Sequence, residues 1–173
     1  MDAMKAIMTR KTVREYDSAK KIEADKVEMI VRAGMNAPSA MNQRAWKFLT
    51  MTDHEAISGL TKIKERWRML HEATLAVGLF VDKNISGDME DSLLIVSASL
   101  AAENMILAAH NEGIESCYIG IDEGEDYYGA LMEHLHVPAG LKMIGILAMG
   151  YPKTEPEMPD DRFEDQKWVR EHF

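Results

Sequence analysis

The feature that most limits the fold of this chain is a long apolar helix in its second half. Residues 91–111 read DSLLIVSASLAAENMILAAHN, and Gly113 follows where a C-terminal stop is expected. A helix that is apolar on most of its faces has to be buried, either at the centre of a domain or at a subunit interface. The remaining elements must therefore pack around this helix.

Shorter elements are predicted on both sides of it from periodicity and from capping residues. Helices are expected at 3–9, 23–36 and 127–135, and strands at 46–51, 74–81, 115–121 and 142–151. The strands alternate irregularly with the helices instead of following a strict βαβ order. This pattern favours an α+β sandwich in which helices flank a mostly antiparallel sheet.

The end of the chain differs in composition from the rest. Residues 152–173 contain three prolines, many acidic side chains and little apolar periodicity before Trp168 and Val169. Such a segment cannot pack on itself. Trp168 and Phe173 favour an arm that packs on another surface, because large aromatic side chains gain most from burial. We predict one domain with a core at 1–151 and an extended C-terminal arm at 152–173 that packs on a partner subunit.

Charge and composition exclude several classes of function. The 173 residues carry 29 acidic against 20 basic side chains, a net charge of −9 that argues against nucleic acid as a partner. The single cysteine, Cys117, excludes an intrachain disulfide and fits a reducing cytoplasm. We expect no signal peptide, and no membrane span because polar residues interrupt residues 93–109. His134 and His136 have no further ligands nearby, so no metal site is predicted.

A local basic cluster stands out against this acidic background. Arg10, Lys11 and Arg14 fall within five residues, with Thr12 between them. Arginine, lysine and hydroxyl donors suit a phosphate monoester, because their hydrogen bonds to its oxygens are charge-assisted. Taken alone, the cluster is also compatible with a solvated basic turn.

Four segments in a fixed order resemble the nitroreductase family, whose members are FMN-dependent homodimeric oxidoreductases. They are RKTVREYD from Arg10, APSAMNQRAW from Ala37, SLAAENMILAAHNEGIESCYIG from Ser99, and GYPKTEP from Gly150 followed by Arg162. No single segment is decisive, but their order and spacing together are specific. The resemblance implies a short single-domain member with an FMN site at the interface of a homodimer.

The resemblance also implies which residues hold FMN. The N-terminal cluster and a C-terminal arginine bind the phosphate, a Pro-Ser loop covers the flavin from the partner subunit, and a backbone N–H near Gly120 faces flavin N5. The implied cofactor-binding residues are Arg10, Lys11, Thr12, Arg14, Pro38, Ser39, Ala40, Met41, Asn42, Ile119, Gly120 and Arg162. No side chain is assigned a catalytic role, because the flavin carries the chemistry.

Several positions depart from the family pattern. Arg44 and Ala45 replace the usual Gln and Pro, Gly120 stands where several members have an acidic residue, and Asp160 replaces a second cation. Arg44 at the mouth of the pocket would favour an anionic substrate, or it is a surface charge. Some members place an Asn against the flavin pyrimidine in the region that corresponds to Glu65–Arg68, and this chain has no Asn there. Arg66 or Arg68 could substitute for it, but neither is assigned that role.

The implied activity is hydride transfer from NADH or NADPH through FMN to nitroaromatic, quinone or similar electron-poor acceptors, by a ping-pong mechanism. The alternative is an FMN-binding carrier or accessory protein with little turnover, and a third reading is an acidic interaction domain without cofactor. The sequence decides neither the physiological acceptor nor the preference between NADH and NADPH.

Overall fold

The computed structural model describes residues 2–172 and is built on one antiparallel sheet. Its strands are β1 (Trp46–Met51), β2 (Leu75–Asp82), β3 (Glu115–Gly120) and β4 (Leu141–Gly150). They lie in the order β1-β2-β4-β3, and every neighbouring pair is antiparallel. The predicted antiparallel sheet is confirmed, and each predicted strand lies within one residue of its observed bounds at both ends.

Helices connect and cover these strands. They are α1 (Ala3–Thr9), α2 (Ala24–Met35), α3 (His54–Gly59), α4 (Lys83–Ser86), α5 (Asp91–Asn111) and α6 (Tyr128–His134). Short 3-10 helices occupy Ala40–Asn42, Leu60–Lys62, Glu65–His71 and Asp165–Lys167. As expected, Asp53 caps α3, its carboxylate accepting a hydrogen bond from the backbone N–H of Ala56 at 2.9 Å.

The sheet separates two hydrophobic cores. Along β2, Leu75, Val77, Leu79 and Val81 face a core that contains α2 and α5, while Ala76 and Phe80 face a second core beneath the 3-10 helices and α6. All eight residues of β2 are buried. A central strand covered on both faces reads as a continuous apolar run, which is why this strand was predictable from the sequence.

Helix α5 forms the centre of the first core. It packs against α2, where the Met105 side chain occupies the space that a Cβ at Gly34 would fill, so a larger residue there would displace Met105. Contrary to the expectation that no stretch resembles a membrane span, α5 is long and apolar enough to qualify by length and composition. In the single chain, 44% of this apolar window is buried, where α5 packs into the first core.

The N-terminal segment that follows α1 lies along the edge of the sheet. Thr12 forms a parallel bridge with Ser116 of β3, and the backbone N–H of Val13 donates to the Ser116 carbonyl at 3.0 Å. A second, antiparallel bridge joins Tyr16 to Pro152. The basic cluster is therefore held between the edge strand and the start of the C-terminal segment.

Candidate active site

Tyr16 anchors the chain just beyond the basic cluster. Its side chain is buried, and its hydroxyl lies 2.7 Å from the carbonyl of Val13 and 3.0 Å from that of Ala148. Burial raises the pKa of the Tyr16 hydroxyl well above its usual value, so it stays protonated and donates. Its backbone N–H donates to Glu72 Oε2 at 3.0 Å, which ties the segment to the second core.

The cluster lines a groove that also receives the C-terminal arginine. Arg10, Lys11, Thr12 and Arg162 all border this space, whose volume is about 540 Å³, together with Asp160. Lys11 Nζ donates to the Glu157 carbonyl at 2.8 Å, which holds the arm against the cluster. Three cations and a hydroxyl from the two ends of the chain thus converge on one groove.

Arg10 is held at the base of this groove by a carboxylate on α5. Its Nε lies 3.7 Å from Glu103 Oε1, and the Arg10 side chain is half-buried. Among residues 2–172, Arg162 has no such ion pair. Arg10 therefore has a defined position, whereas Arg162 closes the groove from the exposed arm.

Arg14 points away from that groove, toward the end of β3. It borders a smaller space of about 230 Å³ with Cys117, Tyr118, Ile119 and Gly120. Burial raises the pKa of the Cys117 thiol, while the adjacent Arg14 guanidinium acts in the opposite direction. Cys117 is thus a protonated, buried thiol, in agreement with its prediction as a small hydrophobic residue of a buried strand.

Two glycines face each other at the end of β3. Gly120 lies opposite Gly145 in the register of β3 and β4, and a Cβ at Gly145 would lie 2.7 Å from the ring and hydroxyl of Tyr118. The Tyr118 hydroxyl in turn donates to the Ile144 carbonyl at 3.2 Å. Glycine at 145 therefore allows the Tyr118 ring to lie across the sheet.

Two arginines not assigned from the sequence extend the cationic lining. Arg66 and Arg68 border a groove of about 620 Å³ together with Arg14, Met69 and His71. Both come from the 3-10 helix Glu65–His71, which is remote in sequence from the N-terminal cluster. In the sequence, both arginines stand in the region where some family members have an Asn against the flavin, and they alternate around Trp67, which the structure shows to be buried.

The predicted Pro-Ser loop lies on α5, and its residues do not border the grooves described above. The backbone N–H of Ala40 donates to Ser97 Oγ at 3.0 Å, and that of Arg44 donates to Ser39 Oγ at 3.0 Å. Met41 is 86% exposed with a positive φ of 50°. Arg44 also has a positive φ, and its Nε donates to Asn42 Oδ1 at 3.1 Å.

The donor chemistry of the first groove fits a phosphate group. Arginine side chains give fork-shaped donor pairs, lysine a point charge and threonine a hydroxyl, and each of these donors is suited to the oxygens of a phosphate dianion. A connecting space bordered by Lys11 and Arg14 leads along the edge of the sheet toward Gly120, and three acidic residues, Glu15, Glu155 and Glu157, also border it. The arrangement can hold an anionic headgroup at one end and a larger group beside β3.

The fold and the site together describe an α+β protein that has a groove bordered by cations at the edge of its antiparallel sheet. The sequence matches the profile of the nitroreductase family over residues 7–77 and 65–151. The chain belongs to the nitroreductase family, which confirms the resemblance seen in its motifs.

Relatives of the same length support this assignment. A protein of Archaeoglobus fulgidus named "Putative NADH dehydrogenase/NAD(P)H nitroreductase" is 33% identical over 174 residues, covering 99% of both chains. A crystal structure from Clostridium acetobutylicum, named "Putative NADH Oxidase", has a TM-score of 0.89 at 30% identity and covers 97% of this chain and 99% of that one. An FMN-dependent nitroreductase from Clostridium difficile R20291 has a TM-score of 0.86 at 26% identity, covering 98% and 99%. The nitroreductase-like sandwich is therefore confirmed.

Proposed function

We propose that this protein is an FMN-dependent oxidoreductase that transfers a hydride from NADH or NADPH to nitroaromatic, quinone or similar electron-poor acceptors. The observation that carries the proposal is the convergence of Arg10, Lys11, Thr12 and Arg162 on one groove of an otherwise acidic protein. A cationic groove of this kind binds an anionic group. Membership of the nitroreductase family and the FMN-dependent relative indicate that this group is the phosphate of FMN.

In this proposal the first groove binds the phosphate of FMN. Arg10 is half-buried beside Glu103, whose carboxylate lies 3.7 Å from its Nε, and its remaining guanidinium donors suit phosphate oxygens. Lys11 is held by the Glu157 carbonyl and adds a point charge. Thr12 adds its hydroxyl, and Arg162 closes the groove from the arm.

The isoalloxazine ring would lie beside the end of β3, near the backbone of Ile119 and Gly120. When bound, FMN accepts a hydride at N5 and passes it to the acceptor. The chain's contribution is position and charge. Arg14 borders the same space, and its guanidinium stabilises negative charge that develops near the ring.

A second copy of the chain would complete this site. The loop formed by Pro38, Ser39, Ala40, Met41 and Asn42 lies on α5, and its exposed Met41 suits contact with a flavin of the partner subunit. Leu93, Val96 and Leu100 are spaced at i, i+3 and i+7 and share one face of α5, and all three are exposed in the single chain. Met4, Ile7 and Met8 of α1 are exposed as well. Exposed apolar side chains in this number favour burial between two subunits.

The segment 152–173 is proposed to pack on the partner as well. Phe163 and Trp168 stack edge to face at 6.1 Å, yet both remain largely exposed, as do Met158 and Val169. A partner surface would bury these side chains. The predicted arm ends at Phe173, which lies outside the described residues, as does Met1 at the start of the core.

One slot beside the flavin would serve both substrates in turn. The nicotinamide coenzyme leaves before the acceptor enters, which gives ping-pong kinetics. A buried, reduced Cys117 suits the cytoplasm as the compartment in which the protein works.

The experiment that tests this function is the visible spectrum of the purified protein, recorded without oxygen before and after adding NADH or NADPH. We expect a yellow protein that bleaches within the mixing time. A yellow protein that stays yellow would favour the flavin carrier or accessory protein instead. A colourless protein that takes up no added FMN would overturn both.

A further inference from the structure

The site contains more positive charge than one phosphate requires. Beyond the Arg10 groove, Arg66 and Arg68 border a second groove of about 620 Å³. This groove shares Arg14, Arg66 and Met69 with the smaller space at the end of β3. The extra cations therefore lie next to the place where the proposed function puts the flavin ring.

Among the described residues, these two arginines have no carboxylate partner. Lys47, Lys83, Lys142 and Lys153 each pair with a carboxylate within 3.2 Å. Within the described part of the chain, no carboxylate lies within ion-pair distance of Arg66 or Arg68, although Glu65 also borders the groove. Arginine is always charged, so neighbouring guanidinium groups without counter-ions create a local positive potential that favours an anion.

The backbone between these arginines is firmly anchored. Trp67 is buried and packs edge to face on Tyr127, with ring centroids 5.0 Å apart. Because Trp67 points inward, its two neighbours extend from a fixed base into solvent. Met69 is half-buried and provides an apolar wall on the same groove. A ligand with an aromatic body and an anionic substituent matches this lining.

We propose that Arg66 and Arg68 bind an anionic group of the electron acceptor, so that the preferred acceptors are aromatic carboxylates or sulfonates rather than neutral compounds. This inference rests on the proposed function, since it places the acceptor beside the flavin. A phosphate of the nicotinamide coenzyme has the same chemistry, and the test separates the two sources.

The first measurement compares 4-nitrobenzoate with 4-nitrobenzamide, which differ in charge but hardly in shape. In the FMN-loaded protein, kcat/KM is expected to favour the carboxylate. Replacing Arg66 or Arg68 by alanine should lower the carboxylate-to-amide ratio about tenfold, because each loses a charge-assisted hydrogen bond. Arg32→Ala is the matched control, since Arg32 is exposed on α2 and pairs only with Glu28.

The second measurement does not depend on turnover. Calorimetric titration of the oxidised, FMN-loaded protein with 4-nitrobenzoate should give about tenfold weaker binding in Arg66→Ala and Arg68→Ala, and unchanged binding in Arg32→Ala. Arg66→Lys and Arg68→Lys keep the charge and should retain part of the affinity. Both arginines are exposed, so these variants are expected to fold.

Three outcomes are decisive. Loss of carboxylate selectivity and binding in the Arg66 and Arg68 variants alone supports the proposal. Unchanged selectivity and unchanged binding would overturn it. A change confined to the ratio of the rates of flavin reduction by NADPH and by NADH would also overturn it, because it would assign the arginines to the coenzyme. Flavin content and its reduction by NADH are measured in the same samples, so a failure of the proposed function is recognised separately.

Discussion

Arg10 is the residue at which the proposed phosphate site is most directly tested. We predict that Arg10→Ala weakens FMN binding by about 1.5–3 kcal/mol, roughly ten- to hundredfold in Kd, because a charge-assisted partner of the phosphate is lost. Its partner Glu103 is half-exposed, so the substitution leaves no buried charge behind. Quenching of flavin fluorescence during titration of the apoprotein measures the change.

Arg32→Ala serves as the control for this titration too, since it removes an exposed cation from α2 without touching the groove. Equal Kd values for Arg10→Ala and the unmodified protein would remove Arg10 from the phosphate site.

Glu72 contributes to the loss of folding stability at low pH. Its hydrogen bonds from Lys153 at 2.9 Å and from the backbone N–H of Tyr16 at 3.0 Å hold the pKa of this carboxyl below its usual value. A lowered pKa in the folded state stabilises the protein above the unfolded-state pKa of about 4.3, and this contribution is lost as the pH falls through the folded-state pKa.

We therefore predict that Glu72→Gln lowers the free energy of unfolding at pH 7 by at most about 1 kcal/mol, since the pair is partly exposed. The difference from the unmodified protein should shrink as the pH is lowered below 4. Urea unfolding at a series of pH values measures it, and a difference that stays constant with pH would contradict the assignment.

At the scale of the elements, the close pairing of β3 and β4 depends on Gly145. A Cβ there would lie 2.7 Å from the Tyr118 ring and 3.1 Å from the Ile119 carbonyl oxygen. We predict that Gly145→Ala lowers the free energy of unfolding by about 1–3 kcal/mol, because the ring and the strand have to move apart. Thermal or urea unfolding followed by circular dichroism measures this loss.

Gly129 is the matched control for that substitution. It lies in α6, and a Cβ at this position would meet no atom within 4 Å. Gly129→Ala should therefore stabilise the protein by about 0.5–1 kcal/mol, as alanine does inside a helix. If Gly145→Ala is as harmless as Gly129→Ala, the contact with Tyr118 does not limit the packing of these strands.

At the scale of the whole molecule, the proposed dimer depends on the exposed apolar face of α5. Val96 is 55% and Leu100 43% exposed in the single chain. We predict that Val96→Glu or Leu100→Glu shifts the protein from dimer to monomer, because a buried unpaired charge is costly at an interface. Sedimentation velocity at micromolar protein concentration measures the shift.

The same variants should retain less FMN if the Pro38–Asn42 loop contacts the flavin of the partner subunit. Circular dichroism shows whether the subunit itself stays folded. A monomeric unmodified protein that holds FMN fully would overturn the model of a site shared between subunits.

Much of the fold followed from local patterns. Helix α5 was predicted with its observed bounds, because its apolar run is long and Gly113 ends it. Strand β2 was predicted because it is covered on both faces. The 3-10 helices between Leu60 and His71 were not predicted, since short turns with i to i+3 hydrogen bonds leave no extended periodicity. Helix α4 was not predicted either, because its four residues are too few to show a helical period.

The sequence by itself determined the family, the antiparallel α+β fold and the cationic character of the N-terminal cluster, because these reside in contiguous motifs and in helix and strand periodicity. Only the tertiary structure decided which cations share a groove. It brings Arg162 to Arg10, and Arg66 to Arg14, across long separations in sequence. The physical reason is that these cations come together where the edge of the sheet, the 3-10 helix Glu65–His71 and the C-terminal segment meet. Pairing between strands, rather than any local sequence pattern, determines where these segments meet.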